Sequence, residues 1–241
     1  MSVPPEQEWL LVGCGLIAHA DEILDIGEWD AALRLIDETL SEPDRDAWKS
    51  IFADIDLLEE HFERLPPVDD VLKQPILHRC WKMALVDGQA SDIEETIHDR
   101  IARRLGINEA DVSAWRISWT QEAYEFAEMV AGLAAAFANL DGHLAFSEAI
   151  HFDNLLERLP LPIGRRVELS ELLNRPPALE PLIGKLAALA REDRHAALGA
   201  ILPLVLASQR GGRERDAFFE LAGRLRIGLT DAERMLARDS G

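Results

Sequence analysis

Cysteine is nearly absent. Cys14 and Cys80 are the only two in 241 residues, and each lies in an apolar stretch of helical spacing. Neither a disulfide framework nor a zinc knuckle can be assembled from them. Both are expected to be free and buried, in a reducing compartment, as small apolar residues of equivalent helices. Long hydrophobic runs are missing too. The longest, Met129 to Ala138 and Ala200 to Ala207, are too short to span a bilayer, and the opening MSVPPEQEW has no basic start and apolar run of signal-peptide type. A cytoplasmic location is expected. Positive charge is scarce: 25 Lys and Arg stand against 44 Asp and Glu, a formal net charge of −19. Such a surface repels a phosphate backbone and an anionic lipid face, which argues against nucleic-acid binding and membrane association. It suits a cation ligand or a basic protein partner.

Strand signals are lacking as well, since neither β-branched alternation nor hairpin dipeptides recur. So are the signatures of catalysis. The chain contains no Gly-x-Ser-x-Gly elbow, phosphate loop, Gly-x-Gly-x-x-Gly or Cys-x-x-Cys. Nucleophilic catalysis has no candidate, and the chain reads as non-enzymatic.

What is present is helix. Hydrophobic residues make up 48% of the chain and charged residues 29%, enough to build a core and to cover it. Ile93, Ile97, Ile101 and Leu105 step by four and paint one stripe on a helix from about Asp92 to Leu105. Trp29, Leu33, Ile36 and Leu40, and then Trp48, Phe52, Ile55 and Phe62, follow the same geometry. Ser91 with Glu94 and Thr230 with Glu233 fit the capping box and predict helix starts. Pro66-Pro67 and Pro176-Pro177 predict connections. The fold class is all-α.

The helices recur. An acid followed seven residues later by Glu heads an apolar-striped helix at Asp21 and Glu28, Asp87 and Glu94, and Asp141 and Glu148, while a fourth copy keeps Glu214 with Ala207 in the acid's place. The glutamates lie 66, 54 and 66 residues apart, so a single shift of 120 carries units one and two onto units three and four. Cys14 and Cys80 keep the spacing of 66, and Leu35, Ile101, Leu155 and Leu221 hold one place in the four units. The pattern predicts repeated helix-turn-helix units, roughly twelve helices, arranged as two tandem modules over residues 1–120 and 121–241.

One motif adds a family. Met83-Ala-Leu-Val-Asp-Gly-Gln-Ala-Ser-Asp-Ile-Glu94, running on to Ile101-Ala-Arg-Arg-Leu-Gly-Ile107, resembles the repeated core of the tellurite-resistance TerB-like family. Ala138-Asn-Leu-Asp-Gly-His-Leu-Ala-Phe-Ser-Glu148 is similar to it, and the two copies cover residues 77–160. Phe218 to Ile227 resembles the family's closing segment without the turn acid. The resemblance implies tandem TerB-like modules of paired helix hairpins with an acidic concave surface. It also implies a link to stress or tellurite resistance and a role in binding metal cations or partner proteins, with no catalysis.

The turn acids are the candidate site. Calcium and magnesium need several hard oxygen ligands at one point, and facing Asp-Gly turns would supply Asp87, Glu94, Asp141 and Glu148. The alternative is purely local: Glu94 closes a capping box and Asp87 serves its turn. A rival of another class is an oxidase-like di-metal bundle using the Glu-x-x-His pairs Glu148/His151 and Glu192/His195. His143, two residues after Asp141, is a further possible ligand for a soft metal. The six tryptophans, all in the first half, are expected as buried anchors between helices. The Arg-rich tail reverses the charge locally and is suited to dock on acidic units.

Overall fold

A computed structural model of the chain describes residues 3–20, 26–140, 142–207 and 213–239. Among them are fourteen α-helices and one short 310 turn, with no strand. The all-α expectation is met. Fourteen exceeds the roughly twelve expected. No helix is long and apolar enough to cross a membrane among the described residues.

The chain divides into two compact units, Met1–Tyr124 with Pro160–Pro162, and Glu125–Leu159 with Ile163–Gly241. The division falls inside α7 (Glu109–Ala138).

In the first unit, α1 (Pro5–Ala18) is the central element. It packs on α2 (Ile26–Thr39), α3 (Glu42–Phe52), α4 (Ile55–Arg64), α5 (Asp70–Ala84) and α6 (Asp92–Arg104). Every residue from Leu11 to Ala18 is buried, so α1 is apolar all round, as a helix surrounded by others must be. Two glycines permit this crowding. A methyl group on Gly13 would meet Cys80 Sγ at 2.7 Å, and one on Gly15 would meet Leu58 at 2.8 Å. Cys14 and Cys80 are free and buried. Trp9, Trp48, Trp81 and Trp119 are buried anchors, whereas Trp29 and Trp115 are half-buried.

The second unit holds the rest of α7, then α8 (Phe146–Arg158), α9 (Ile163–Ser170), the 310 turn Glu171–Leu173, and α10 (Leu179–Ala187). It closes with α11 (Arg191–Ala200), α12 (Leu202–Ala207), α13 (Arg213–Arg224) and α14 (Leu229–Asp239). The latter part of α7 occupies the place of α1 in the repeat, and its residues from Leu133 to Ala138 are nearly all buried. Pro66-Pro67 and Pro176-Pro177 lie in connections. Thr230 is not the residue that caps α14: it lies within the helix, and the Gly228 carbonyl accepts from the amides of Asp231 and Ala232, both at 3.0 Å. The helix thus begins at Leu229, earlier than the box pattern suggests.

Local backbone geometry recurs at the spacings of the sequence repeat. At the end of α6, Ile107 N donates to Ala102 O at 3.0 Å and Gly106 has φ of 75°. At the end of α13, Ile227 N donates to Ala222 O at 2.9 Å and Arg226 has φ of 58°. Both are left-handed helix closures of the Schellman type, and the second holds an arginine in a conformation that favours glycine. The Asp-Gly turns match likewise. Val86 N to Met83 O and Gly88 N to Leu85 O have counterparts in Leu140 N to Phe137 O and Gly142 N to Asn139 O. Gly88 and Gly142 have φ of 108° and 78°.

Candidate functional site

Asp87 lies in the turn between α5 and α6, exposed, with its Oδ1 accepting from Gln89 N at 3.1 Å. This is the turn-stabilising bond that a short acid before Gly88 can make. Glu94 is the third residue of α6 and is buried. Its Oε2 accepts from Ser91 N at 2.7 Å, while Ser91 Oγ accepts from Glu94 N at 3.2 Å, a complete capping box. Glu148 holds the same position in α8 and is also buried, accepting from Ala145 N at 2.7 Å. Ala145 has no side-chain acceptor, so only half of the box forms there. Asp141 and Asp21 lie outside the described residues. Glu28 falls in the first turn of α2.

Each described acid thus sits at its own turn or helix start, as the repeat places it. Asp87 and Glu94 belong to the first unit and Glu148 to the second. No group of three or more His, Cys, Asp or Glu side chains comes together among the described residues. Glu214, in the corresponding place of α13, is buried too, and its Oε2 has no hydrogen-bond partner among the described residues. Of the Glu-x-x-His residues, His151 is half-buried and Glu192 exposed, and His195 Nδ1 donates to Arg191 O at 2.8 Å. His143 is exposed. In the Arg-rich tail, Arg224 grips the Glu180 carboxylate with both terminal nitrogens.

The most unusual chemistry in the core lies elsewhere, at His98 and Arg116. His98, fully buried on α6, donates from Nε2 to Leu77 O at 2.9 Å and accepts at Nδ1 from Arg116 Nε at 3.1 Å. Arg116, on α7 and buried, also donates to Glu95 O at 3.0 Å and pairs with Asp99. Its guanidinium lies 5.1 Å from the centroid of Trp81, whose Nε1 donates to Thr120 Oγ1 at 2.9 Å. Trp119 stacks on His78 and meets His98 edge-on. Burial, with the nearby Arg116 charge adding to it, pushes His98 down to about 4, so the ring is neutral at pH 7 with its proton on Nε2. Sequence reasoning missed this pair. His98 lies in the polar sequence of α6, where it reads as a surface residue, and nothing in the spacing ties it to Arg116. A signal was nevertheless available in the repeat, because the shift of 120 places Phe218 and Leu236 opposite His98 and Arg116. Both counterparts are buried.

No protein-family model, curated protein or solved structure matches this chain.

Proposed function

We propose that the chain is a non-enzymatic, TerB-like helical scaffold that presents an acidic surface to a basic protein partner. A divalent cation, calcium or magnesium, is a secondary ligand at the Asp-Gly turns. The observation that carries the reading is how the acids are used. Glu94 and Glu148, the acids fixed by the repeat, are engaged in helix starts, so the large charge excess is carried by other residues on the outer faces. One such stretch is the α3–α4 segment, where Glu42, Asp46, Asp54, Asp56, Glu60 and Glu63 are all exposed, Asp46, Glu60 and Glu63 beside Lys49, Arg64 and Arg100. Exposed carboxylates in excess of basic side chains attract a lysine- or arginine-rich surface. The recurring helix closures support a duplicated module, which is the part of the TerB-like reading that bears on fold. The link to tellurite or stress resistance rests on the motif alone.

The test is binding of a fluorescent arginine-rich peptide to the full chain at low and high salt, beside a variant carrying Glu42→Gln, Asp46→Asn, Glu60→Gln and Glu63→Gln. The peptide should bind at low salt, weaken steeply as salt rises, and bind the variant roughly tenfold less well. Equal binding by the variant would remove the α3–α4 face from the proposal.

A further inference from the structure

A cavity of about 190 Å³ opens on the first unit between α1, α2 and α5. Cys14 of α1 forms its floor, with Leu35 of α2 and Met83 of α5 buried beside it and Ala31 and Val86 completing the apolar wall. Its mouth carries Arg34 from α2 and Arg79 and Lys82 from α5, with Glu38 as the one acid. Arg79 is drawn toward Glu38 at 3.7 Å. Arg34 and Lys82 have no ion-pair partner among the described residues.

That concentration of positive charge is out of keeping with the chain. With 44 acids against 25 bases, three cations around one small opening are not what a solvated acidic surface supplies. The repeat provides a comparison. A shift of 120 puts Asn154, Gly199 and Leu202 where Arg34, Arg79 and Lys82 stand, and Ala134 where Cys14 stands. The spacing of 66 places Arg100 where Arg34 stands, whereas Gly13 and Leu16 stand where Arg79 and Lys82 do, so these last two cations belong to this cavity and not to the helical unit as such.

The opening selects its ligand by size, charge and polarity. Its volume lies below the range of about 300–1,000 Å³ typical of sites for drug-sized molecules, which suits a smaller ligand. Two cations with no ion-pair partner among the described residues favour an anion, while Glu38 at the rim disfavours a second negative charge. Cys80 lies behind Cys14. The hydrogen bond between the two thiols, together with burial, raises Cys80 well above the ordinary thiol range, so it stays protonated and adds no charge or nucleophile to the floor. We propose that this cavity binds a small amphiphilic carboxylate, its head between Arg34 and Lys82 and its short aliphatic chain against Leu35, Met83 and Cys14.

Octanoate is the probe, with octylamine and octanol as controls of the same chain length. Binding to the full chain is followed by titration calorimetry and by thermal melting. Octanoate should raise the melting temperature saturably, octylamine should not, and octanol should bind more weakly than octanoate. Arg34→Gln with Lys82→Gln, both at exposed positions, should weaken octanoate roughly tenfold. Glu38→Gln should tighten it. Equal effects of octanoate and octanol, undiminished binding in the double variant, or no saturable octanoate binding would each overturn the proposal.

Discussion

His98 offers the sharpest test of how the first unit is held together. In the unfolded chain its imidazole titrates near 6.5, and in the folded chain near 4, because burial penalises the cation and Arg116 stands against it. Between those values the unfolded state binds a proton that the folded state refuses. Stability from this residue is therefore flat above about pH 6.5 and falls as the pH drops toward 4. The gap from 6.5 to about 4 corresponds to about 3 kcal/mol in full. Most of it, about 2 kcal/mol, should be lost between about pH 7 and about pH 4.5. The perturbation is His98→Phe with Arg116→Leu, which installs the pair the second unit already uses at Phe218 and Leu236. Urea unfolding at both pH values measures the effect. Carboxylates elsewhere titrate in both proteins and cancel in the difference. His98→Phe alone keeps the pairing of Arg116 with Asp99, so it isolates the imidazole's share of the pH dependence. At pH 7 each single variant should cost about 3 kcal/mol, because it strands a buried polar partner, and the double variant should cost less than the two together. If wild type and the double variant lose the same stability on acidification, the buried imidazole does not govern the acid response.

Gly13→Ala and Gly15→Ala should each destabilise the chain by about 1–3 kcal/mol, because the methyl group meets Cys80 or Leu58 inside a filled core. Gly184→Ala in α10, with open space around it, should stabilise it by about 1 kcal/mol, and denaturant midpoints separate the cases. Arg226→Gly should stabilise by about 1 kcal/mol by relieving the φ of 58°, again read from a denaturant midpoint. Both thiols should resist labelling in the native protein at neutral pH and react promptly in denaturant; fast native labelling would contradict their burial. Melting temperatures in calcium or magnesium should rise above those in sodium chloride of matched ionic strength, and Asp87→Asn with Asp141→Asn should abolish the difference. An unchanged shift in that variant removes the turn acids as cation ligands.

The helices were legible because their signals are local. The four-residue stripe from Ile93 to Leu105 and the Ser91–Glu94 box each concern one turn or one face, and α6 begins and ends within a residue of where they place it. The repeat spacings were legible for the same reason, since each copy carries its own turn and closure. The short helices α9 and α10 were not, because neither carries a capping pattern and each is only two or three turns long. The use of Glu94 was legible, as its box partner is three residues away. The use of Glu148 was less so, because Ala145 hides the start of α8. His98 and Arg116 stood outside local reasoning altogether, since their contact depends on how α6 meets α7 in space.

The repeat also explains why the paired cations Arg79 and Lys82 have no counterpart in the second unit, where Gly199 and Leu202 take their places. Arg79 and Lys82 reach its mouth together because α5 runs unbroken from Asp70 to Ala84. Pro75 interrupts that helix only near its start, where the bond it removes would reach the carbonyl of exposed Val71. In the second unit the place of Met83 is taken by Pro203. Its ring crowds the carbonyl four residues back, at Gly199, and it has no amide to donate there. The chain responds by breaking into α11, ending at Ala200, and α12, starting at Leu202, with the amides of Leu204 and Val205 both turning to Ile201 O at 3.1 and 3.2 Å. A helix broken at that point cannot hold two side chains three residues apart on one continuous face. Continuity of α5 and the charges on it are therefore parts of one arrangement. Met83→Pro should disrupt the cavity while leaving Arg34 and Lys82 in the sequence, so loss of octanoate binding in that variant, with the far-ultraviolet helix signal largely kept, would tie the site to the geometry of α5 and not to net charge. Retained binding would break that connection.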